Sequence, residues 1–204
     1  DDFCEPGSGI DPELCRQLSQ MNSSDANLTH PLVDAEGNVL SATEAAWHFL
    51  KIGVQHILPG GTDHILFVLA LFLAARSLRS LAYQISIFTV AHTVTLGLTA
   101  AGVIEPPASI VEPLIALSIA VVAIEVLFTE QPTKWRPLII FGFGLFHGMG
   151  FAGFVREIGL PPEQFWPSLI GFNVGVEIGQ LFVVLLAAVL SVPIRRALTH
   201  TGYS

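Results

Sequence analysis

Long apolar runs, separated by short polar or Pro/Gly-containing breaks, constrain the fold of this chain more than any other feature. A helix needs about 20 mostly apolar residues to cross the hydrocarbon layer of a bilayer. Five strongly apolar segments occupy residues 62–75, 81–101, 108–128, 137–155 and 162–192. Charged residues make up only 13% of the 204-residue chain, against roughly 25% in an average soluble domain. The sequence therefore predicts an all-α, polytopic transmembrane helix bundle in a cell membrane.

The polar N-terminal part of the chain is expected to be a separate region. Residues 1–41 are rich in turn-forming residues and hold both cysteines, Cys4 and Cys15. Two cysteines in a short exposed segment favour one disulfide in an oxidising compartment, with two free thiols or a metal-binding pair as the alternatives. We predict an extracytoplasmic segment over 1–41, a transmembrane domain over 42–198 and a cytoplasmic tail over 199–204.

The distribution of basic residues predicts the orientation in the membrane. Cytoplasmic loops of membrane proteins carry an excess of Lys and Arg. In this chain such residues lie in alternate connections, while the loops near residue 105 and over 156–163 hold one base between them. The basic connections contain Arg76, Arg79, Lys134, Arg136, Arg195 and Arg196. The C-terminus is therefore expected in the cytoplasm, and five crossings place the N-terminus outside.

A short amphipathic helix is predicted over 42–58, with Ser41 or Thr43 as its N-cap. The sequence Pro59-Gly60-Gly61 stops this helix. An N-terminus outside the cell requires that the helix over 42–58 does not cross the membrane fully. We therefore expect five full spans plus this short re-entrant helix. The alternative is a sixth span and a cytoplasmic N-terminus.

Several ionisable and amide side chains interrupt the apolar segments. Such groups cost at least about 2.5–3.5 kcal/mol at the bilayer centre for Asp, Lys or Arg, so a set of them indicates function. Imidazole and carboxylate together suit divalent ions of Ni, Co, Zn, Fe or Cu. The candidate metal ligands are His56, Asp63, His64, His92, His147 and Glu177. Candidate supporting or pathway residues are Glu112, Glu125, Asn173 and Gln180.

Each of these residues also has a structural interpretation. A lone membrane histidine is more often a hydrogen-bonded packing residue than a ligand. Asp63 could serve only as a helix N-cap, and Glu112, before Pro113, only as an anchor for a helix start. Glu125 could face water at the cytoplasmic end.

Two ridges of small residues predict close helix contacts. One consists of Gly171, Gly175 and Gly179, and the other of Gly144, Gly148 and Ala152. Small residues at four-residue spacing let two helices approach closely. Because each ridge lies beside candidate ligands, we expect the two ridged helices to pack together around a polar centre.

Charge also restricts the partners. The formal net charge is −8 and no basic stretch is present, so nucleic acid is not expected. The expected partners are the lipid bilayer and a metal ion.

Five motifs, in order over about residues 45–195, resemble the HupE/UreJ family of bacterial membrane proteins. They lie at 56–64, 88–96, 111–125, 143–152 and 171–180. The resemblance implies a permease for nickel, with cobalt or another divalent metal next, and places family His and acidic positions on the six candidate ligands. A chain with about five crossings is small for a complete transporter, so a homo-oligomer is expected. The alternative functions are an intramembrane, hydrolase-like metalloenzyme that uses the same His/Glu cluster, and a metal sensor or assembly subunit.

Overall fold

The computed structural model describes residues 39–75, 77–128, 134–151 and 162–200, with side chains up to residue 193. Cys4 and Cys15, and with them the predicted disulfide, lie outside these residues. Over the described residues the protein is all-helical, with six α-helices and a 3-10 turn at Pro162–Gln164. The helices are α1 Ala42–Ile57, α2 Thr62–Ala74, α3 Leu78–Ala100, α4 Ala108–Phe128, α5 Arg136–Gly150 and α6 Phe165–His200.

Local sequence explains where α1 and α2 begin. Ser41 caps α1 in a capping box: its hydroxyl accepts from the Glu44 amide, and Glu44 Oε2 accepts from the Ser41 amide at 2.9 Å. At α2 the N-cap is Gly61, where a Cβ would collide with the His56 carbonyl oxygen. Asp63 lies inside the first turn of α2, so its interpretation as the N-cap is wrong.

The helices differ in whether they are long enough to cross a bilayer. Among the described residues, α3, α4 and the Phe165–Pro193 part of α6 are long and apolar enough by themselves. At 1.5 Å per residue, the 13 residues of α2 rise only about 20 Å, less than the ~30 Å hydrocarbon layer. The sequence predicted residues 62–75 as a full span, and the helix there is too short to be one by itself. Instead α1 and α2 form a pair bent by 71° at the Pro59-Gly60-Gly61 break.

The two glycine ridges do not pack on each other. The ridge of α6 receives α1, since a Cβ at Gly171 or Gly175 would collide with backbone oxygens of Ala46 and Leu50. The α5 ridge receives α3 in the same way, with Gly148 against the His92 carbonyl. The predicted ridge-to-ridge pair is wrong, because a glycine ridge leaves a groove that a fuller helix surface fills.

Contacts along α6 show the direction of the bent pair. Ala46 packs at Gly171 and Ile57 at Gly179, while Ala75, just past α2, lines a cavity with Ser191. α1 and α2 therefore advance in the same direction as α6. We call the end of the bundle where α1 and α6 begin the Trp166 end, and the end where α3 begins the Ser77 end.

Candidate metal site

Three histidines from three helices meet in the middle of the bundle. His56 lies in the last turn of α1, His64 in the first turn of α2, and His92 near the centre of α3. One ring nitrogen from each lies within 4.8 Å of the other two. The bend between α1 and α2 is what brings His56 and His64 together, with ring centroids 4.8 Å apart. We call these three residues the imidazole cluster.

The nitrogens of this cluster are buried without partners. His64 and His92 are 5% and 0% exposed, and His56 is half-buried. The Nε2 atoms of all three, and of His147, have no hydrogen-bond partner within the described part of the chain. A buried polar atom without a partner costs about 1–3 kcal/mol, so the four Nε2 atoms on these neighbouring rings are available to water or to another ligand.

Hydrogen bonds at Nδ1 determine which nitrogen of two rings carries the proton. His92 Nδ1 lies 3.0 Å from Asn173 Oδ1, and the Asn173 amide group donates to the Leu169 carbonyl at 2.8 Å. His147 Nδ1 lies 2.9 Å from the Phe143 carbonyl oxygen. Both acceptors are oxygens, so each Nδ1 donates and each neutral ring keeps a lone pair on Nε2. A lone pair on Nε2 is what a metal ligand requires.

The spacing of the nitrogens is compatible with one bound ion. Around an ion bound at about 2.1 Å, neighbouring nitrogens lie roughly 3–3.5 Å apart. The three nitrogens of the imidazole cluster lie within 4.8 Å of one another, so small movements of the rings suffice to bring them to this spacing.

A cavity of about 630 Å³ connects the cluster with two carboxylates. Its polar lining consists of His56, His64, His147, Asp63 and Glu112. Asp63 and Glu112 are exposed, and His147 is only 2% exposed, with its ring 5.0 Å from that of His64. The cavity lies between the start of α2, the first half of α4 and the end of α5. A hydrated ion, with six waters of about 30 Å³ each, fits within this volume.

Aromatic rings enclose the imidazoles. Phe151 and Phe172 pack on His56 at 3.9 and 5.5 Å between centroids, and Phe88 packs on His64 at 5.7 Å. These rings form the apolar surroundings of the imidazoles. The sequence does not indicate this role, because phenylalanine is common throughout the chain and gives no distinguishing signal.

The predicted ligand Glu177 lies apart from the imidazoles. Within the described residues, the group of three close nitrogens includes no carboxylate. Glu177 is half-buried and accepts a hydrogen bond from Ser86 Oγ at 2.6 Å. Gln180, 1% exposed, lies near Thr89 with 3.2 Å between Oε1 and Oγ1. The structure therefore brings together the four histidines with Asn173, and separates Glu177 and Gln180 from them.

Glu125 belongs to neither group. Its Oε2 lies 3.8 Å from Nε of Arg136, at the end of the bundle where α4 ends and α5 begins. Arg136 is 4% exposed, so Glu125 neutralises a buried cation. The contact with Arg136 accounts for a carboxylate at this position, so Glu125 needs no role on a metal pathway.

Comparison with known proteins agrees with the resemblance of the motifs. Residues 34–203 match the family described as HupE / UreJ protein. This match covers most of the chain, so the protein belongs to the HupE/UreJ family. No curated protein and no solved structure gave a match.

Proposed function

We propose that this HupE/UreJ protein is a membrane permease for a divalent transition-metal ion, with nickel the first candidate and cobalt the next. The observation that carries the proposal is the meeting of four histidine rings from α1, α2, α3 and α5, whose Nε2 atoms are buried and without a partner in the described part of the chain. Imidazole is a good ligand for Ni, Co, Zn and Cu, and a poor one for Mg and Ca. The family links this chain to nickel and cobalt handling.

The residues define an order of binding along the route. A hydrated ion is collected in the cavity by the carboxylates of Asp63 and Glu112. His56, His64 and His147, which line the same cavity, replace its waters. His92 is fully buried and not part of the cavity wall, so it receives the ion last, while Asn173 holds its ring in place.

We further propose five passages through the membrane, one of them through α5, whose described residues Arg136–Gly150 are too few for a full span by themselves. The bent pair α1–α2 counts as one broken passage, because both helices advance along α6 in the same direction. The Trp166 end then faces the outside and the Ser77 end, which carries the exposed Arg79, faces the cytoplasm. Exposed tryptophans at both ends, Trp166 and Trp135, suit the two membrane interfaces. The backbone at Pro59-Gly60-Gly61 is tolerated at membrane depth because protein and the cavity cover it.

One observation favours transport over an intramembrane metalloenzyme. The cavity offers carboxylates ahead of the imidazoles, which suits successive weak sites rather than a single strong one. We propose a homo-oligomer as the functional form, since five passages are few for a complete transporter.

The proposal is tested by nickel uptake into vesicles that contain the purified protein. The variants are His64→Ala and His92→Ala, which remove one ligand each. The control is His48→Ala, an exposed histidine on α1 that is not part of the cluster. We expect uptake to fall at least about tenfold in the cluster variants and to stay unchanged in the control. Equal nickel and cobalt uptake by the wild type and both cluster variants would contradict the proposal.

A further inference from the structure

A second polar group lies between α3 and α6, beyond the imidazole cluster in the direction of the Ser77 end. Glu177 follows Asn173 by four residues, which is about 6 Å along α6. Asn173 supports His92, whereas Glu177 contacts Ser86, six residues before His92 on α3. The carboxylate is thus displaced along both helices from the cluster, in the same direction.

Within the described residues, no Lys or Arg forms an ion pair with the carboxylate of Glu177, whereas the carboxylate of Glu125 lies against Arg136 at the Ser77 end. The contact of Glu177 is with the hydroxyl of Ser86, a neutral donor. An ionised carboxylate at membrane depth normally faces a cation, a pathway or both.

The neighbouring amide supplies an independent observation. Thr89 Oγ1 lies 3.1 Å from the Ile85 carbonyl oxygen and 3.2 Å from Gln180 Oε1. A hydroxyl has one proton and cannot donate to both oxygens. Exchange of the nitrogen and oxygen of the Gln180 amide resolves this conflict, because Thr89 then donates to Ile85 and accepts from Gln180.

That exchange leaves a buried oxygen without a partner. Before the exchange, the other amide atom of Gln180 is Nε2, which has no hydrogen-bond partner in the described part of the chain. After the exchange the carbonyl oxygen takes this position, on a side chain that is 1% exposed. It presents an unpartnered acceptor one helical turn from the Glu177 carboxylate, and a cation is the ligand that both would accept.

We infer that Glu177, Ser86 and Gln180 form a second cation site, made of oxygen ligands only, between the imidazole cluster and the Ser77 end of the bundle. The inference extends the proposed function, because it gives the ion a place to go after His92. Oxygen ligands hold Ni²⁺ or Co²⁺ more weakly than imidazoles do, so transfer to this site favours release.

Beyond the second site the core is mainly apolar. Ile85, next to Ser86, and Val184, four residues after Gln180, are 1% and 8% exposed and belong to the apolar core. The buried side chain of Gln84 is polar and donates to Ser80 on the same helix. On the far side of this core a cavity of about 290 Å³ is lined by Ser77, Leu81 and Ser191, among others. The second site therefore lies beside an apolar part of the core.

The test counts Ni²⁺ ions bound to the purified full-length protein by equilibrium dialysis at saturating nickel. X-ray absorption of the same samples reports whether the bound nickel has nitrogen ligands. We expect two ions per chain in the wild type and one in Glu177→Gln, with the nitrogen signature retained. Ser86→Ala keeps the carboxylate but removes its hydrogen bond, so it should weaken the second ion without affecting the first. Glu163→Gln, an exposed glutamate before α6, is the matched control and should bind two.

Two results would overturn the inference. One is loss of the nitrogen signature in Glu177→Gln, which would place Glu177 in the imidazole site. The other is the same number of ions in the wild type and Glu177→Gln. Failure of the wild type to transport nickel would defeat the permease instead, while the ion count would still decide the second site.

Discussion

Asn173 is the residue through which the rest of the bundle controls His92. It sits on α6, four residues after Leu169, whose carbonyl fixes the orientation of the amide group. Its Oδ1 then accepts from His92 Nδ1, which leaves Nε2 of that ring as the metal ligand. Groups that orient a ligand in this way typically change metal affinity by 10–100-fold when they are replaced.

The first prediction concerns this hydrogen bond. Asn173→Leu removes the acceptor, so the His92 ring is free to rotate and to protonate Nε2 instead. We expect the nickel affinity measured by titration calorimetry to fall by about 10–100-fold. Asn173→Asp keeps an oxygen acceptor for His92 Nδ1 but loses the donor to the Leu169 carbonyl, so its affinity should lie between those of the wild type and Asn173→Leu. Equal affinities in the two variants would show that Asn173 does not orient the ligand.

The structure brings together the candidate histidines but not the candidate acid Glu177. His56, His64, His92 and His147 are candidates because imidazoles are unusual in apolar segments, and their rings lie close together. Glu177 is a candidate on the same ground, and it lies four residues after Asn173 on α6. That spacing gives a shared helix face but not a shared depth, and four residues are enough to reach a different site.

At the scale of helices, the close contact between α1 and α6 positions His56. The backbone oxygens of Ala46 and Leu50 on α1 approach the Cα atoms of Gly171 and Gly175. Such an approach is possible only where α6 has no side chain. The contact holds α1 along α6, so its last turn ends at the cluster.

The second prediction follows from this contact. Gly175→Ala adds a methyl group where the Leu50 carbonyl oxygen lies, and the helices must separate. We expect a loss of about 1–3 kcal/mol of stability, seen as a lower thermal midpoint in detergent. Gly142→Ala is the matched control, since a Cβ there meets nothing within 4 Å. Alanine also favours the helix over glycine by roughly 0.5–1 kcal/mol, so the control should be neutral or more stable. A midpoint for Gly175→Ala equal to that of Gly142→Ala would contradict the packing.

Hydropathy predicted the positions of the helices in the sequence better than it predicted which helices pack against each other. The segment predicted at 108–128 coincides with α4, and the break at Pro59-Gly60-Gly61 is where α1 and α2 part. Pairing was wrong for the two glycine ridges, because a lipid-facing helix is apolar on all sides and its sequence does not show which face is buried. Residues 62–75 were predicted as a span because they are apolar, but the apolar character of a segment does not ensure that its helix is long enough to cross the membrane.

At the scale of the whole molecule, the arrangement is asymmetric between its two ends. The cavity with Asp63 and Glu112 reaches the imidazole cluster, whereas the apolar core around Ile85 and Val184 separates the cluster from the Ser77 end. If the Ser77 end is cytoplasmic, the cavity reaches the imidazole cluster from the outer side. The side from which an ion enters therefore follows from the orientation of the bundle in the membrane.

The third prediction therefore concerns orientation. Single cysteines are introduced by Glu163→Cys near the Trp166 end and Ser77→Cys at the other, in a chain whose Cys4 and Cys15 are changed to Ser. A membrane-impermeant maleimide should label the first in intact spheroplasts and the second only after lysis. Labelling of both after lysis is the control for reactivity. The reversed pattern would place the Ser77 end outside and contradict the orientation predicted from the basic connections.

The most direct measurement is X-ray absorption at the nickel edge on the purified protein loaded with one equivalent of Ni²⁺. Three histidines from separate helices are expected around the ion, with the multiple-scattering pattern of imidazole rings. His56→Ala, His64→Ala and His92→Ala should each remove about one nitrogen ligand, roughly a third of that signal if three rings bind the ion. A shell of oxygen ligands that is the same in the wild type and in all three variants would contradict the site.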